Sequence, residues 1–223
     1  MFVCMAEVSV ADYARRYGLS EQGVRRAARE GAVPARKVGT AWLIDDSHRL
    51  RPQKRRPLSE RAASALLARL DGDLGPARAL TPTERARLRD RVLRLRDDQH
   101  ATDLLAAWLR PVLARPAVDL FVQPADLQDL RADDRLVLGG VSDARAEISA
   151  PDFVEAHVAA ADYPLVRRDF LLRSSDAPNV RLHVDDERPS SPLPLSVLLL
   201  DLAADGGPRE RARVAALLRG IGA

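Results

Sequence analysis

Gln22, Arg25, Arg26 and Arg29 are the side chains whose types and spacing first suggest chemistry. If the segment from Ser20 to Gly31 is a helix, Gln22, Arg26 and Arg29 share one face, with Arg25 beside them. Val24, Ala27 and Ala28 share the opposite face. Guanidinium forks and carboxamides hydrogen-bond the edges of nucleobases, and guanidinium also binds phosphate oxygens. Small apolar residues behind them let such a helix lie close to its support. Ser20 can cap its start and Gly31 can end it. A few residues on, Arg36 and Lys37 precede Gly39-Thr40, a two-residue turn with glycine first, and Trp42-Leu43-Ile44 follows it. This is a short hairpin whose cations, with Thr40 at the tip, can reach a flanking phosphate or a minor groove. Trp42 reads as core packing.

The rest of the chain offers less. His48, His100, His157 and His183 are scattered, and none makes a short-spaced pair with another histidine or a cysteine, so spacing supports no zinc site. No nucleophile elbow, dinucleotide fingerprint or phosphate loop occurs. The acidic pairs Asp97-Asp98, Asp133-Asp134 and Asp185-Asp186 sit beside turn-like residues and read as solvated loops. Cys4 is the single cysteine, lies in an N-terminal stretch that reads as disordered, and excludes an intramolecular disulfide framework. His183 alternates along a strand and reads as surface or packed. The expectation is a protein that is not an enzyme, with no catalytic residues, no cofactor and no metal.

The elements that must position these groups can be read from periodicity. Ser9 can cap a first helix, with Asp12 three positions on; Val10, Tyr13, Ala14 and Tyr17 form its apolar face, and Gly18 stops it. Residues 51–57, Arg51-Pro-Gln-Lys-Arg-Arg-Pro57, read as a basic linker. A helix follows over Ser59–Leu70 with Ala62, Ala63, Leu66, Leu67 and Leu70 on one face, broken by Asp71-Gly-Asp-Leu-Gly-Pro76. Thr81-Pro-Thr-Glu84 is a capping box opening a helix to about Arg96, with Leu88, Val92 and Leu95 as its stripe and its arginines on a solvated face. A third helix spans about Thr102–Leu113 with Leu104, Leu105, Trp108 and Leu109 inward. Then Val118–Val122, Arg135–Leu138, Phe153–Val158 and Asn179–Val184 read as strands, with a short helix near Ala125–Leu130. Leu195–Ala203 and Pro208–Leu218 read as closing helices. The fold class is therefore α+β. It comprises an N-terminal winged helix-turn-helix over 1–50, the linker 51–57, a helical middle segment over 58–115 and a C-terminal mixed α/β domain over 116–223.

Charge sharpens this division. Residues 1–57 hold 12 Arg and Lys against 6 Asp and Glu, a balance of +6, whereas the remainder holds 23 against 26, or −3. The positive charge sits with the helix-turn-helix, as an electrostatic footprint on DNA requires. No apolar run approaches the roughly 20 residues of a membrane span. The start of the chain lacks a basic-then-apolar leader, so the expectation is a cytoplasmic protein without membrane contact.

Two resemblances follow from these residues. Val10-Ala-Asp-Tyr-Ala, Tyr17-Gly-Leu-Ser, Val24-Arg-Arg-Ala-Ala-Arg-Glu-Gly, Val33-Pro-Ala and Val38-Gly-Thr-Ala-Trp-Leu-Ile make residues 7–50 resemble the excisionase and MerR-like winged helix-turn-helix family. That resemblance implies duplex DNA as partner, with Ser20, Gln22, Arg25, Arg26, Arg29, Arg36, Lys37 and Thr40 as contact residues. Asp119-Leu-Phe-Val122, Arg135-Leu-Val-Leu-Gly-Gly140, the segment from Val158 to Tyr163, Asn179-Val-Arg-Leu-His-Val184, Val197-Leu-Leu-Leu-Asp-Leu-Ala203 and Asp205-Gly-Gly-Pro-Arg209 fall in an order similar to that of AbiEi-type antitoxins. This second resemblance implies a regulator that represses its own promoter and counteracts a nucleotidyltransferase toxin, directly or through the toxin's targets. Two half-sites, bridged by a homodimer or two monomers, are the expected docking geometry. Two other readings stay open: a ligand-gated regulator with a small-molecule-binding C-terminal domain, and an excisionase-like architectural DNA-binding protein.

Overall fold

Residues 7–17, 19–29, 33–46, 57–97, 100–113 and 117–221 are described by the structure, a computed structural model. The expectations for Cys4, Gly18, Gly31, His48, Asp98 and most of the linker lie outside these residues. The chain is mixed α and β, and it divides into two compact units, Met1–Arg55 and Arg56–Ala223.

In the first unit β1 (Glu7–Ser9) runs directly into helix α1 (Val10–Tyr17). Ser9 makes this junction. Its hydroxyl accepts the Asp12 N–H at 3.1 Å and donates to the Asp12 carboxylate at 2.7 Å, the reciprocal cap that the spacing predicts. Helix α2 (Glu21–Arg29) starts where the Ser20 hydroxyl accepts the Gly23 N–H at 3.1 Å. Strands β2 (Ala35–Val38) and β3 (Ala41–Asp45) pair antiparallel, with Val38 opposite Ala41 across a turn in which Gly39 adopts φ +61°. A side chain there would be strained, so glycine sets the turn. β1 adds to the other edge of β3, giving the order β1-β3-β2. Val10, Tyr13, Ala14, Val24, Ala28, Val33 and Ile44 form the core, and Trp42 packs half-buried against it.

The second unit contains two hydrophobic cores. Helices α3 (Glu60–Leu70), α4 (Gly75–Arg78), α5 (Pro82–Asp97), α6 (Ala101–Trp108) and α7 (Arg110–Leu113) come first. The Thr81–Glu84 box closes as expected: the Thr81 N–H and hydroxyl donate to the Glu84 carboxylate at 2.8 and 2.9 Å. The single helix expected over Thr102–Leu113 is instead α6 and α7, broken at Leu109, because Pro111 has no N–H to continue the ladder. Then follow β4 (Ala117–Leu120), α8 (Leu127–Arg131), β5 (Leu136–Leu138), β6 (Val154–Ala159), α9 (Tyr163–Asp169), β7 (Val180–Asp185), α10 (Leu195–Asp205) and α11 (Pro208–Gly220). The sheet order is β4-β7-β6-β5; β6 and β7 are parallel and both edge pairs antiparallel. Helix α9, which periodicity does not reveal, connects the parallel pair, which no hairpin can join.

One face of this sheet buries Val154, Ala156, Val158, Val180 and Leu182 with Leu127, Leu130 and Val166 from α8 and α9. The other core is helical. Leu66, Leu88, Leu95, Leu104, Leu105, Trp108 and Leu109 pack with Leu198, Leu199, Leu202, Val214 and Leu218. The closing helices thus complete the core begun by α3, α5 and α6, so described residues on both sides of the expected 115/116 division share one core. Asp71 ties the ends of this layer together: its carboxylate accepts the Ser196 N–H and hydroxyl, both at 2.7 Å, at the start of α10. Among the described residues no helix is long and apolar enough to cross a membrane.

Candidate functional site

Helix α2 separates its faces sharply. Val24 is fully buried and Ala28 nearly so, whereas Gln22, Arg25, Arg26 and Arg29 are exposed. The apolar spacing i, i+4 fixes this rotation, because burying Val24 and Ala28 against α1 and β3 turns the long polar side chains outward. Ser20 spends its hydroxyl as the helix cap. Arg25 pairs with Glu21 at 2.8 Å, one turn back, and the Arg29 Nε donates to the Arg25 carbonyl at 3.3 Å. Lys37 and Thr40 are exposed on the hairpin.

Arg36 is exposed on the same hairpin but has a partner within the protein. Its guanidinium donates two parallel hydrogen bonds, each 2.7 Å, to the Glu7 carboxylate across the sheet. The bonds raise the Arg36 pKa and hold the Glu7 carboxyl below its ordinary value. Periodicity does not anticipate this pair, because it places no strand at Glu7, and without β1 nothing brings Glu7 near Arg36. The pair is exposed, so solvent screens it and it adds little to the stability of the sheet.

A second constellation lies in the other unit, on the sheet face opposite the apolar one. His157 on β6 stands directly across from His183 on β7, and the rings stack with centroids 4.5 Å apart and planes 16° apart. Glu155 lies two residues before His157 and Asp185 two after His183, so strand alternation puts all four on this face. Asp201 reaches it from α10. His157 Nδ1 bonds Asp185 at 2.8 Å and Nε2 bonds Asp201 at 3.0 Å; His183 Nε2 bonds Glu155 at 2.9 Å. Glu155 also accepts the Val141 N–H at 3.1 Å. Glu155, His157 and Asp201 are at most 3% exposed and His183 is 7% exposed. Burial works against a charged His157 ring, but hydrogen bonds and charge from Asp201 and Asp185 outweigh it, and its pKa lies above the ordinary histidine value.

Gly139 and Gly140 roof this cluster. A Cβ on Gly139 would lie 2.8 Å from His157 Cδ2, and one on Gly140, whose φ is +46°, would lie 1.8 Å from a Glu155 carboxylate oxygen. A nearby cleft of about 900 Å³, lined by Arg69, Asp71, Arg145, Arg213 and Ile221 among others, contains none of the five side chains.

These contacts correct three expectations. The histidines are not all scattered in space: His157 and His183 are far apart in sequence but share a register position. Asp185 ends a strand and holds His157, so it is not simply a solvated loop acid. Asp133 is likewise engaged, accepting from Arg135 at 2.6 Å. One signal was available: Asp201 is a lone acid within Val197-Leu-Leu-Leu-Asp-Leu-Ala, and an acid in such a run needs a partner. Reading Glu155, His157, His183 and Asp185 as one polar face would have supplied it.

Compared with known proteins, the chain matches no family model, no curated protein and no solved structure.

Proposed function

We propose that this chain is a sequence-specific DNA-binding regulator in which residues 7–46 act as a winged helix-turn-helix. Helix α2 enters a major groove and the β2–β3 hairpin serves as the wing. The observation that carries this reading is the division of α2: Val24 and Ala28 are buried, and Gln22, Arg25, Arg26 and Arg29 all face solvent. The +6 balance of residues 1–57 supports it. The test is a mobility-shift series with the full chain on the DNA upstream of its own gene. Affinity should fall as salt rises, and should exceed that for random DNA. Equal affinity for both at every salt concentration would leave no sequence preference to explain.

The proposed role is that of an antitoxin that represses its own promoter and counteracts a nucleotidyltransferase toxin. Its support is the order of the segments from Asp119 to Arg209, which resembles AbiEi-type antitoxins. Co-expression tests it: the chain should relieve growth arrest by a toxin encoded beside it, and a failed rescue would remove this role without touching DNA binding. A ligand-gated regulator is the second reading, favoured by the cleft beside Arg145 and Arg213.

A further inference from the structure

We propose that His157, His183 and Asp201 form a binding site for one zinc-class divalent metal ion, which clamps β6 and β7 to α10. The inference is independent of DNA binding. Each of the three residues offers one ligand atom, and these atoms all lie within 4.8 Å of one another. His157 Nε2 and Asp201 Oδ2 are 3.0 Å apart, a little under the roughly 3.4 Å between neighbouring ligands on a tetrahedral ion with arms of about 2.1 Å. The two rings stand 16° from parallel, so the in-plane lone pairs meet on one ion only when one imidazole also turns about its Cβ–Cγ bond as the ion enters.

The second observation is how the imidazoles are held. Metal-bound histidines characteristically give their other ring nitrogen to an outer carboxylate, which fixes tautomer and orientation. Both histidines have that arrangement. Asp185 holds His157 Nδ1 at 2.8 Å and leaves Nε2 toward Asp201; Glu155 holds His183 Nε2 at 2.9 Å and leaves Nδ1. His183 Nδ1 is buried and has no hydrogen-bond partner. A buried imidazole nitrogen costs free energy unless something meets its lone pair, and a cation would do so. Glu155 is itself anchored by the Val141 N–H.

Two nitrogen donors and one oxygen favour zinc, cobalt or iron over magnesium or calcium, which prefer oxygen throughout.

The full chain, without a polyhistidine tag, is stripped with chelator and titrated with Zn²⁺, with Co²⁺ as a spectroscopic stand-in. The expected result is one equivalent bound per chain and a thermal midpoint raised by about 5–10 °C at a hundredfold excess over Kd. His183→Gln and Asp201→Asn should each weaken uptake at least tenfold, and Asp185→Asn by about 10–100-fold. His100→Gln should leave it unchanged. Absence of binding and of any thermal shift with Zn²⁺, Co²⁺, Mn²⁺ and Fe²⁺ would overturn the proposal, as would undiminished uptake by folded His183→Gln. Should the variants not fold, X-ray absorption of the zinc-loaded native chain decides. Two imidazole nitrogens without sulfur support the site, and sulfur or oxygen-only ligation overturns it.

Discussion

The outer face of α2 and the inner face of the β6–β7 pair are both polar, but they are polar in opposite ways. On α2 the cations stand in water, where a charge costs little and its spacing is free to follow a ligand. On the sheet, imidazoles and carboxyl groups lie inside the protein, where each must find a partner or forfeit several kcal/mol. On the proposed function the α2 face answers to DNA outside the protein, whereas the sheet face answers to partners within it. The first should tolerate substitution without loss of fold, and the second should not.

The largest effect is expected at the buried face. Asp201→Ala removes the acceptor of His157 Nε2 and leaves a 1%-exposed ring facing a void. Truncating one partner of a buried ionic pair costs about 3–5 kcal/mol. Urea denaturation in the presence of chelator should show that loss. A change under about 1 kcal/mol would mean that the cluster is open to water in solution.

Gly140→Ala should follow, at about 2–4 kcal/mol, because its Cβ would meet the Glu155 carboxylate at 1.8 Å with the backbone at φ +46°. Glu155→Ala in the same background should recover part of the loss, since it removes the clashing group. Additive losses in the double variant would deny that the two residues touch.

How much of this contrast is legible in the sequence depends on whether the relevant contact is local. The α2 face is legible because its period of 3.6 is written within about ten residues. Ser9, Ser20 and Thr81 are legible as caps because each acts three positions on. The α5 stripe is the same case: Leu88, Val92 and Leu95 are buried as their spacing predicts. The histidine cluster is hidden because its members come from β6, β7 and α10 and meet only through a parallel crossover. The same reason hides the union of α10 and α11 with the first helices, and the Glu7–Arg36 pair.

Substitutions on α2 should reverse the pattern expected at the sheet. Gln22→Ala and Arg26→Ala should shift stability by under about 0.5 kcal/mol, since both are exposed. Each should nevertheless cost about 1–3 kcal/mol of specific DNA binding if it makes a bidentate contact to a base. Specific and random DNA must be titrated side by side. Equal losses on both would reassign these residues to phosphate.

The smallest effect is expected at Arg36, where the two kinds of polarity meet. Its guanidinium is exposed, yet it donates twice to Glu7 within the protein. Because the pair is solvated, Arg36→Ala should leave the urea midpoint almost unchanged. If Arg36 leaves Glu7 for a phosphate, the same substitution lowers affinity for all DNA sequences alike and reduces the salt slope by about one. Glu7→Gln then separates the roles: it frees the guanidinium, so DNA affinity should rise modestly while Arg36→Ala lowers it. No change in affinity from either substitution would make Arg36 a strand-pairing residue, and the hairpin's proposed contact would rest on Lys37 and Thr40.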